Sequence, residues 1–154
     1  MNGLQRQALP AFLGSVALLL GAVAFQYLGG LAPCHLCLLQ RWPHATAILL
    51  GLLIFLWPSR LLAWLAGLAM LVGAGIALYH VGIELDWWEG PATCTAPVPG
   101  STEAGQLLDQ ILATPVVLCD QVAWSWLGLS MAGWNGILSL LLAMLWFRAA
   151  RMAD

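Results

Sequence analysis

Four apolar runs decide what this chain can become. Each is long enough, alone or with its flanks, to cross a hydrocarbon core that takes roughly 17–25 helical residues. They fall at about 9–28, 36–57, 61–83 and 127–147, with the second beginning at about Leu36 or Trp42. Between Leu9 and Leu28 only Ser15 and Gln26 are polar. Pro58-Ser59-Arg60 makes a tight turn that folds the second and third runs into an antiparallel hairpin. Of the 154 residues, 62% are hydrophobic and 8% charged, against about 25% charged in a soluble domain. The expected fold is therefore a single all-α integral-membrane domain, a four-transmembrane-helix bundle in the lipid bilayer. With no lysine and a formal net charge of −2, the composition speaks against a nucleic-acid partner.

Arginine placement orients the bundle. Arg6, Arg60, Arg148 and Arg151 flank the spans at the N-terminus, the second turn and the C-terminus. An even number of spans puts all three places on one side, and positive charge marks that side as cytoplasmic. The segments 29–41 and 84–126 then lie on the outer side, with the acidic residues Glu84, Asp86, Glu89, Glu103, Asp109 and Asp120. Arg6, the apolar stretch and Ala22-Val23-Ala24 imitate a secretory signal with its cleavage site. The apolar run continues to Leu28, which a cleaved signal would not need, so the segment reads as an uncleaved span.

All four cysteines fall on the outer side. One pair is tight, in Pro33-Cys34-His35-Leu36-Cys37; the other, Cys94 and Cys119, is spread over the one long polar loop. Disulfides persist in the periplasm and similar oxidising spaces. Two structural disulfides, each contributing ~2–4 kcal/mol, are one reading. A Cys-x-x-Cys loop, however, is too short to gain much chain entropy, and such motifs commonly tune a thiolate for exchange. Leu38 stands where a c-type haem motif needs histidine. A four-cysteine zinc site is a further alternative, although zinc fingers commonly use two tight pairs. The reading taken here is no metal, and electron transfer between two disulfides.

Arg41 is four residues beyond Cys37, so on a continuous helix the two side chains are neighbours. A guanidinium there would stabilise the Cys37 thiolate, while snorkelling to the headgroups is its other reading. Pro43 bears on the choice. A helix beginning at Trp42 would hold Pro43 in its first turn and lose the helical spacing; an earlier start would be kinked there.

The outer loop carries further signals. Pro91, Pro97, Pro99 and Gly100 predict an extended stretch around Cys94, suited to main-chain pairing with a partner from Cys94 to Pro97. From Ser101 to Thr114, Leu107, Leu108, Ile111 and Leu112 recur at helical spacing, predicting a short amphipathic interfacial helix. A soluble cap on the bundle is the rival. His80 ends the third span at the depth of Arg41, whereas His35 and His44 carry less signal. Asn135 is expected to bond a neighbouring helix, and Ala69, Gly73 and Ala77 to form a small-residue packing stripe. Trp42, Trp57, Trp87, Trp88, Trp124 and Trp126 mark span ends as an interfacial belt.

Taken together, these residues resemble the DsbB family of quinone-dependent thiol oxidases over essentially the whole chain. The resemblance rests on Cys34-His35-Leu36-Cys37-x-x-Gln40-Arg41-x-Pro43, on Tyr79-His80 with Gly82, and on Gly90-Pro91-x-x-Cys94. It extends to Cys119 followed by Trp126-Leu127-Gly128-Leu129-Ser130-Met131. Vitamin K epoxide reductase-like enzymes carry their loop cysteines before the tight motif, the reverse order. The resemblance implies a bacterial inner-membrane enzyme with both termini cytoplasmic and its cysteines periplasmic. It implies that a reduced, DsbA-like thioredoxin-fold protein attacks Cys94 of a Cys94–Cys119 disulfide. Cys119 would then exchange with Cys34 of the Cys34–Cys37 pair. Cys37 would pass two electrons to ubiquinone or menaquinone from the membrane pool. Arg41 would support the charge on Cys37 and the quinone, with His80 near the same cofactor.

Overall fold

The structure, a computed structural model, describes residues 1–91, 94 and 117–152. Four long helices are apolar and long enough to cross a membrane. They are α1 (Gly3–Tyr27), α3 (Arg41–Leu56) with the short α2 (His35–Leu39) leading into it, α4 (Arg60–Glu84) and α5 (Met131–Met152). A two-residue-per-strand hairpin, β1 (Ser125–Trp126) and β2 (Leu129–Ser130), precedes α5. The chain is thus an all-α membrane bundle. The amphipathic segment Ser101–Thr114 and the stretch from Thr95 to Pro97 lie outside the described residues.

Local chemistry sets the helix ends. Asn2 and Gln5 form a reciprocal capping box, which starts α1 at Gly3, ahead of the apolar run. Gln5 then reaches across with Nε2 to donate to the carbonyls of Ile54 and Phe55, at 3.3 and 3.1 Å, near the end of α3. In the hairpin, Ser125 pairs with Ser130 and Trp126 with Leu129. Leu127 and Gly128 between them both have positive φ, 53° and 78°. Two such residues are what a type I′ hairpin turn demands. The Gly133 N–H donates to Ser130 Oγ at 3.1 Å, so α5 begins after Ser130.

The helices form a ring in which α1 touches α3 and α5, and α4 touches the same two. Its interior is built from small side chains: Ala8, Ala11, Ala47, Ala63, Ala66, Ala77, Ala143 and Ala149 are all buried. Large side chains such as Leu20, Leu49, Leu68, Leu78 and Leu140 point outward. This arrangement suits lipid, where tails are as apolar as leucine and close backbone packing supplies the association energy. At Gly67 an added Cβ would collide with the Phe147 ring, so glycine admits that ring between α4 and α5. The expected stripe holds at Gly73 and Ala77, but Ala69 is only half-buried. The buried face runs instead through Ala63, Ala66, Met70, Gly73 and Ala77, because α4 is wedged between α3 and α5 rather than against one neighbour.

Trp42, Trp57, Trp87, Trp88 and Trp126 are exposed near helix ends, while Trp124 is half-buried with its ring 5.5 Å from that of Phe25. Trp146 differs: it is fully buried, and its indole N–H finds no acceptor among the described residues. We expect Trp146→Ala to cost about 3 kcal/mol, the packing lost from a large-to-small change. Trp146→Phe should cost much less, since no hydrogen bond is lost. Unfolding in mixed detergent micelles would read both.

Candidate functional site

The end of α1, the whole of α2, the end of α4 and the start of α5 meet at one end of the ring. There the backbone sequence decides a detail. The helix is interrupted between α2 and α3 at Gln40, whose own backbone stays helical (φ −65°, ψ −17°), and Pro43 sits in the first turn of α3. Proline has no N–H to donate back to Leu39, so the turn that would fuse the two helices lacks a bond. The Arg41 guanidinium reaches α1 while lining the same cavity as Cys37. Its Nη1 donates to Gln26 Oε1 at 2.7 Å and its Nη2 to the Ala22 carbonyl at 3.4 Å. Nε of Arg41 is buried with no partner among the described residues. Gln26, one of two polar residues in the first apolar run, exists in this position as the arginine's acceptor.

Cys34 is the N-cap of α2, and its sulfur accepts the Cys37 N–H at 3.2 Å. The Cys34 and Cys37 sulfurs stand 2.6 Å apart as a free pair. The Cys37 sulfur beside it, with burial, holds the Cys34 thiol well above the usual thiol range. Cys94 and Cys119 are joined in a disulfide, their Cα atoms 5.1 Å apart. Cys34, Cys94 and Cys119 share one buried cluster with Leu36 and Ile83, against which Cys37 and Val117 pack. The two pairs are therefore brought together in space, as are Cys37, Arg41 and His80, which line one cavity.

That cavity has a volume of about 480 Å³. Its walls are largely apolar, from Leu18, Phe25, Leu118, Trp124, Met131 and Leu138. Cys34, Cys37, Gln40, Arg41, His44, His80, Glu84 and Asn135 face it as well. Mostly apolar walls with a few convergent polar groups are the usual make-up of a small-molecule site.

His80 lies between the two cysteine pairs. Its Nε2 is 3.6 Å from Cys34 Sγ, 3.2 Å from the Cys119 carbonyl and 3.9 Å from Glu84 Oε1. On the other side of the ring, Nδ1 meets Gln40 Nε2 at 2.9 Å. The polar chain continues from Asn135 Nδ2 to Gln40 Oε1 at 2.6 Å and from His44 Nε2 to Asn135 Oδ1 at 3.0 Å. Ser139 Oγ adds a contact to His44 Nε2 at 3.4 Å. Asn135 thus bonds a neighbouring helix, and His44, weakly signalled in sequence, belongs to the site. Gln26, Gln40 and Glu84 were not singled out as site residues from sequence. The available signal was their polarity within or beside apolar spans, where an amide or carboxylate is expensive without a partner. His35 is exposed, away from this network.

The sulfurs of Cys34 and Cys37 and a ring nitrogen of His80 all lie within 4.8 Å of one another. Two thiolates on tetrahedral zinc stand about 3.8 Å apart, given Zn–S bonds of ~2.3 Å. The 2.6 Å separation of this pair does not fit that arrangement, and Cys94 and Cys119 are spent on each other. A four-cysteine zinc site is not formed among these side chains.

Known proteins point the same way. The family model described as disulfide bond formation protein DsbB matches residues 5–149. A disulfide bond formation protein B of Xylella fastidiosa (strain Temecula1 / ATCC 700964) is 31% identical, the match covering 94% of this chain and 91% of that protein. One from Pasteurella multocida (strain Pm70) is 34% identical over 85% of this chain and 78% of its own. One from Dechloromonas aromatica (strain RCB) is 35% identical over 80% and 78%. No solved structure is a significant match. A four-helix membrane bundle with two neighbouring cysteine pairs, matched from end to end in this way, belongs to the DsbB family of disulfide bond formation proteins.

Proposed function

We propose that this protein reoxidises a reduced, DsbA-like thioredoxin-fold protein in the periplasm and delivers the electrons to membrane quinone. The observation that carries the reading is the shared location of both cysteine pairs, one of them opening on an apolar cavity that also holds a half-buried arginine. In this reading the partner's thiolate attacks Cys94, and Cys119 leaves as a thiolate. Cys119 then attacks Cys34 of an oxidised Cys34–Cys37 pair, and Cys37 leaves with the electron pair. Each exchange needs a thiolate aligned on a disulfide, which the common cluster of the four residues favours.

Cys37 and Arg41 would hold the quinone ring in the cavity, with His80 in its wall. The apolar surfaces of Phe25, Trp124 and Met131 suit such a ring, and a buried guanidinium nitrogen with no partner, Nε of Arg41, suits its oxygen. Bound there, ubiquinone or menaquinone would supply the capacity to accept two electrons and two protons. Arg41, fixed by Gln26 and Ala22, keeps a positive charge in place without reorganising, the form of support that best stabilises developing negative charge.

Purified protein mixed with a reduced thioredoxin-fold partner should bleach quinone absorbance in a partner-dependent way. Absence of turnover with every quinone and every such partner would sink the proposal. In the same reading both termini lie on the cytoplasmic side of a bacterial inner membrane, an orientation that the arginine pattern supports. A phosphatase active only in the periplasm should stay silent when fused after Asp154 and be active when fused after Glu89.

A further inference from the structure

The hydrogen-bond chain running from His44 to the cysteines has only one consistent direction. The Cys119 carbonyl can only accept, so His80 Nε2, 3.2 Å away, carries a hydrogen. The other groups around Nε2 are also acceptors, Cys34 Sγ and Glu84 Oε1. A neutral imidazole with its hydrogen on Nε2 has a bare Nδ1, which must receive a donor, and Gln40 Nε2 sits there at 2.9 Å. With its amide nitrogen so used, Gln40 turns Oε1 to Asn135, whose Nδ2 donates at 2.6 Å. Asn135 Oδ1 then accepts from His44 Nε2 at 3.0 Å. The assignment closes from both ends: the remaining nitrogen of His44, Nδ1, is buried with no partner among the described residues, so that ring too places its hydrogen on Nε2. Gln40, His44 and His80 are buried and Asn135 is half-buried, which limits competition from water for these bonds.

We propose that His80 serves Cys34 as a hydrogen-bond donor through Nε2–H, and that Gln40, Asn135 and His44 are positioning residues that hold the ring in this tautomer. The inference rests on the disulfide relay proposed above and deepens it at one step. Once the partner's second thiolate has broken the partner–Cys94 bond and left with its own disulfide, the freed Cys94 thiolate attacks Cys119 in a Cys34–Cys119 mixed disulfide; the Cys94–Cys119 bond forms and the Cys34–Cys119 bond breaks. The electron pair stays on Cys34, where the N–H of His80 meets it. The ring gives up no proton and takes none at Nε2. The Cys119 carbonyl, 3.2 Å from the same nitrogen, helps hold the ring edge beside Cys34. Such a donor makes the reduced Cys34–Cys37 pair more stable and hence the disulfide more oxidising.

The test uses full-length, quinone-free protein in lipid nanodiscs, equilibrated at alkaline pH with graded dithiothreitol buffers. Alkylation and peptide mass spectrometry then read Cys34–Cys37 separately from Cys94–Cys119. His80→Leu should shift that pair's equilibrium about tenfold towards disulfide, or ~30 mV for a two-electron couple. His80→Gln should restore it to within threefold, because a carboxamide N–H still donates although the group cannot act as a base. Asn135→Leu should shift it about threefold in the same direction. So should the equal-sized Asn135→Asp, which turns the Gln40 amide around and reverses the tautomer. If His80→Gln fell as far as His80→Leu, the donor role would be overturned. Wild-type potentials in both Asn135 variants would overturn the positioning chain. A wild-type Cys34–Cys37 pair that never reduces would instead overturn the relay on which both depend.

Discussion

Cys37→Ser turns over no quinone, while the Cys94–Cys119 disulfide still forms and still reacts once with a reduced partner. That is the largest effect we expect, a loss of at least about 10³-fold in steady-state rate, as when a covalent participant is deleted from a working set. The reason is the order of the sulfurs. Cys94–Cys119 is complete without Cys37, so its single exchange survives. A lone Cys34 is a thiol rather than half of a disulfide, so the Cys119 thiolate finds no S–S bond to attack and the electron pair goes no further. Stopped-flow absorbance of the quinone against non-reducing gels of the partner separates the two events. A variant that reduces quinone at the wild-type rate would remove Cys37 from the relay and with it the role of the cavity. A scaffold with two structural disulfides predicts that unchanged rate.

Arg41→Leu is expected to lower turnover about 10²-fold, in the range found when one preorganised donor to developing charge is removed. The change deletes a half-buried cation whose Nε has no protein partner and whose other nitrogens are tied to α1. It should also raise the KM for quinone while leaving the single exchange at Cys94–Cys119 untouched. Gln26→Leu is the informative companion. It keeps the charge but frees the guanidinium, and should cost about tenfold, less than loss of the charge itself. If Arg41→Leu kept wild-type quinone affinity and rate, the arginine would be merely snorkelling. If Gln26→Leu were neutral while Arg41→Leu was not, the charge would matter but its fixed direction would not.

The sequence by itself determined the class of fold and much of the cast. Four long apolar runs in a chain with 8% charged residues admit little besides a bundle of membrane helices, because length and apolarity are read directly from composition along the chain. Cysteine spacing separated a tight pair from a wide one, and an even number of spans put both pairs at the same end. Pro43 announced that the second span would either start late or bend.

Only the tertiary structure decided where the side chains went. Proline's missing N–H interrupts the bonding after Gln40, and the guanidinium of Arg41 is tied across to Gln26 on α1 while sharing a cavity with Cys37. The face of α4 that is buried depends on both helices beside it, so Met70 and Ala66 replace Ala69 in the stripe. The start of α5 was set by the Ser130 cap and by a turn with two positive-φ residues, features that an apolar count passes over. His44 and Asn135 are 91 residues apart in the chain. Nothing local links them. Their place beside Gln40 and His80 follows from the packing of α3, α4 and α5, which makes each polar group satisfy another in a medium that offers no water.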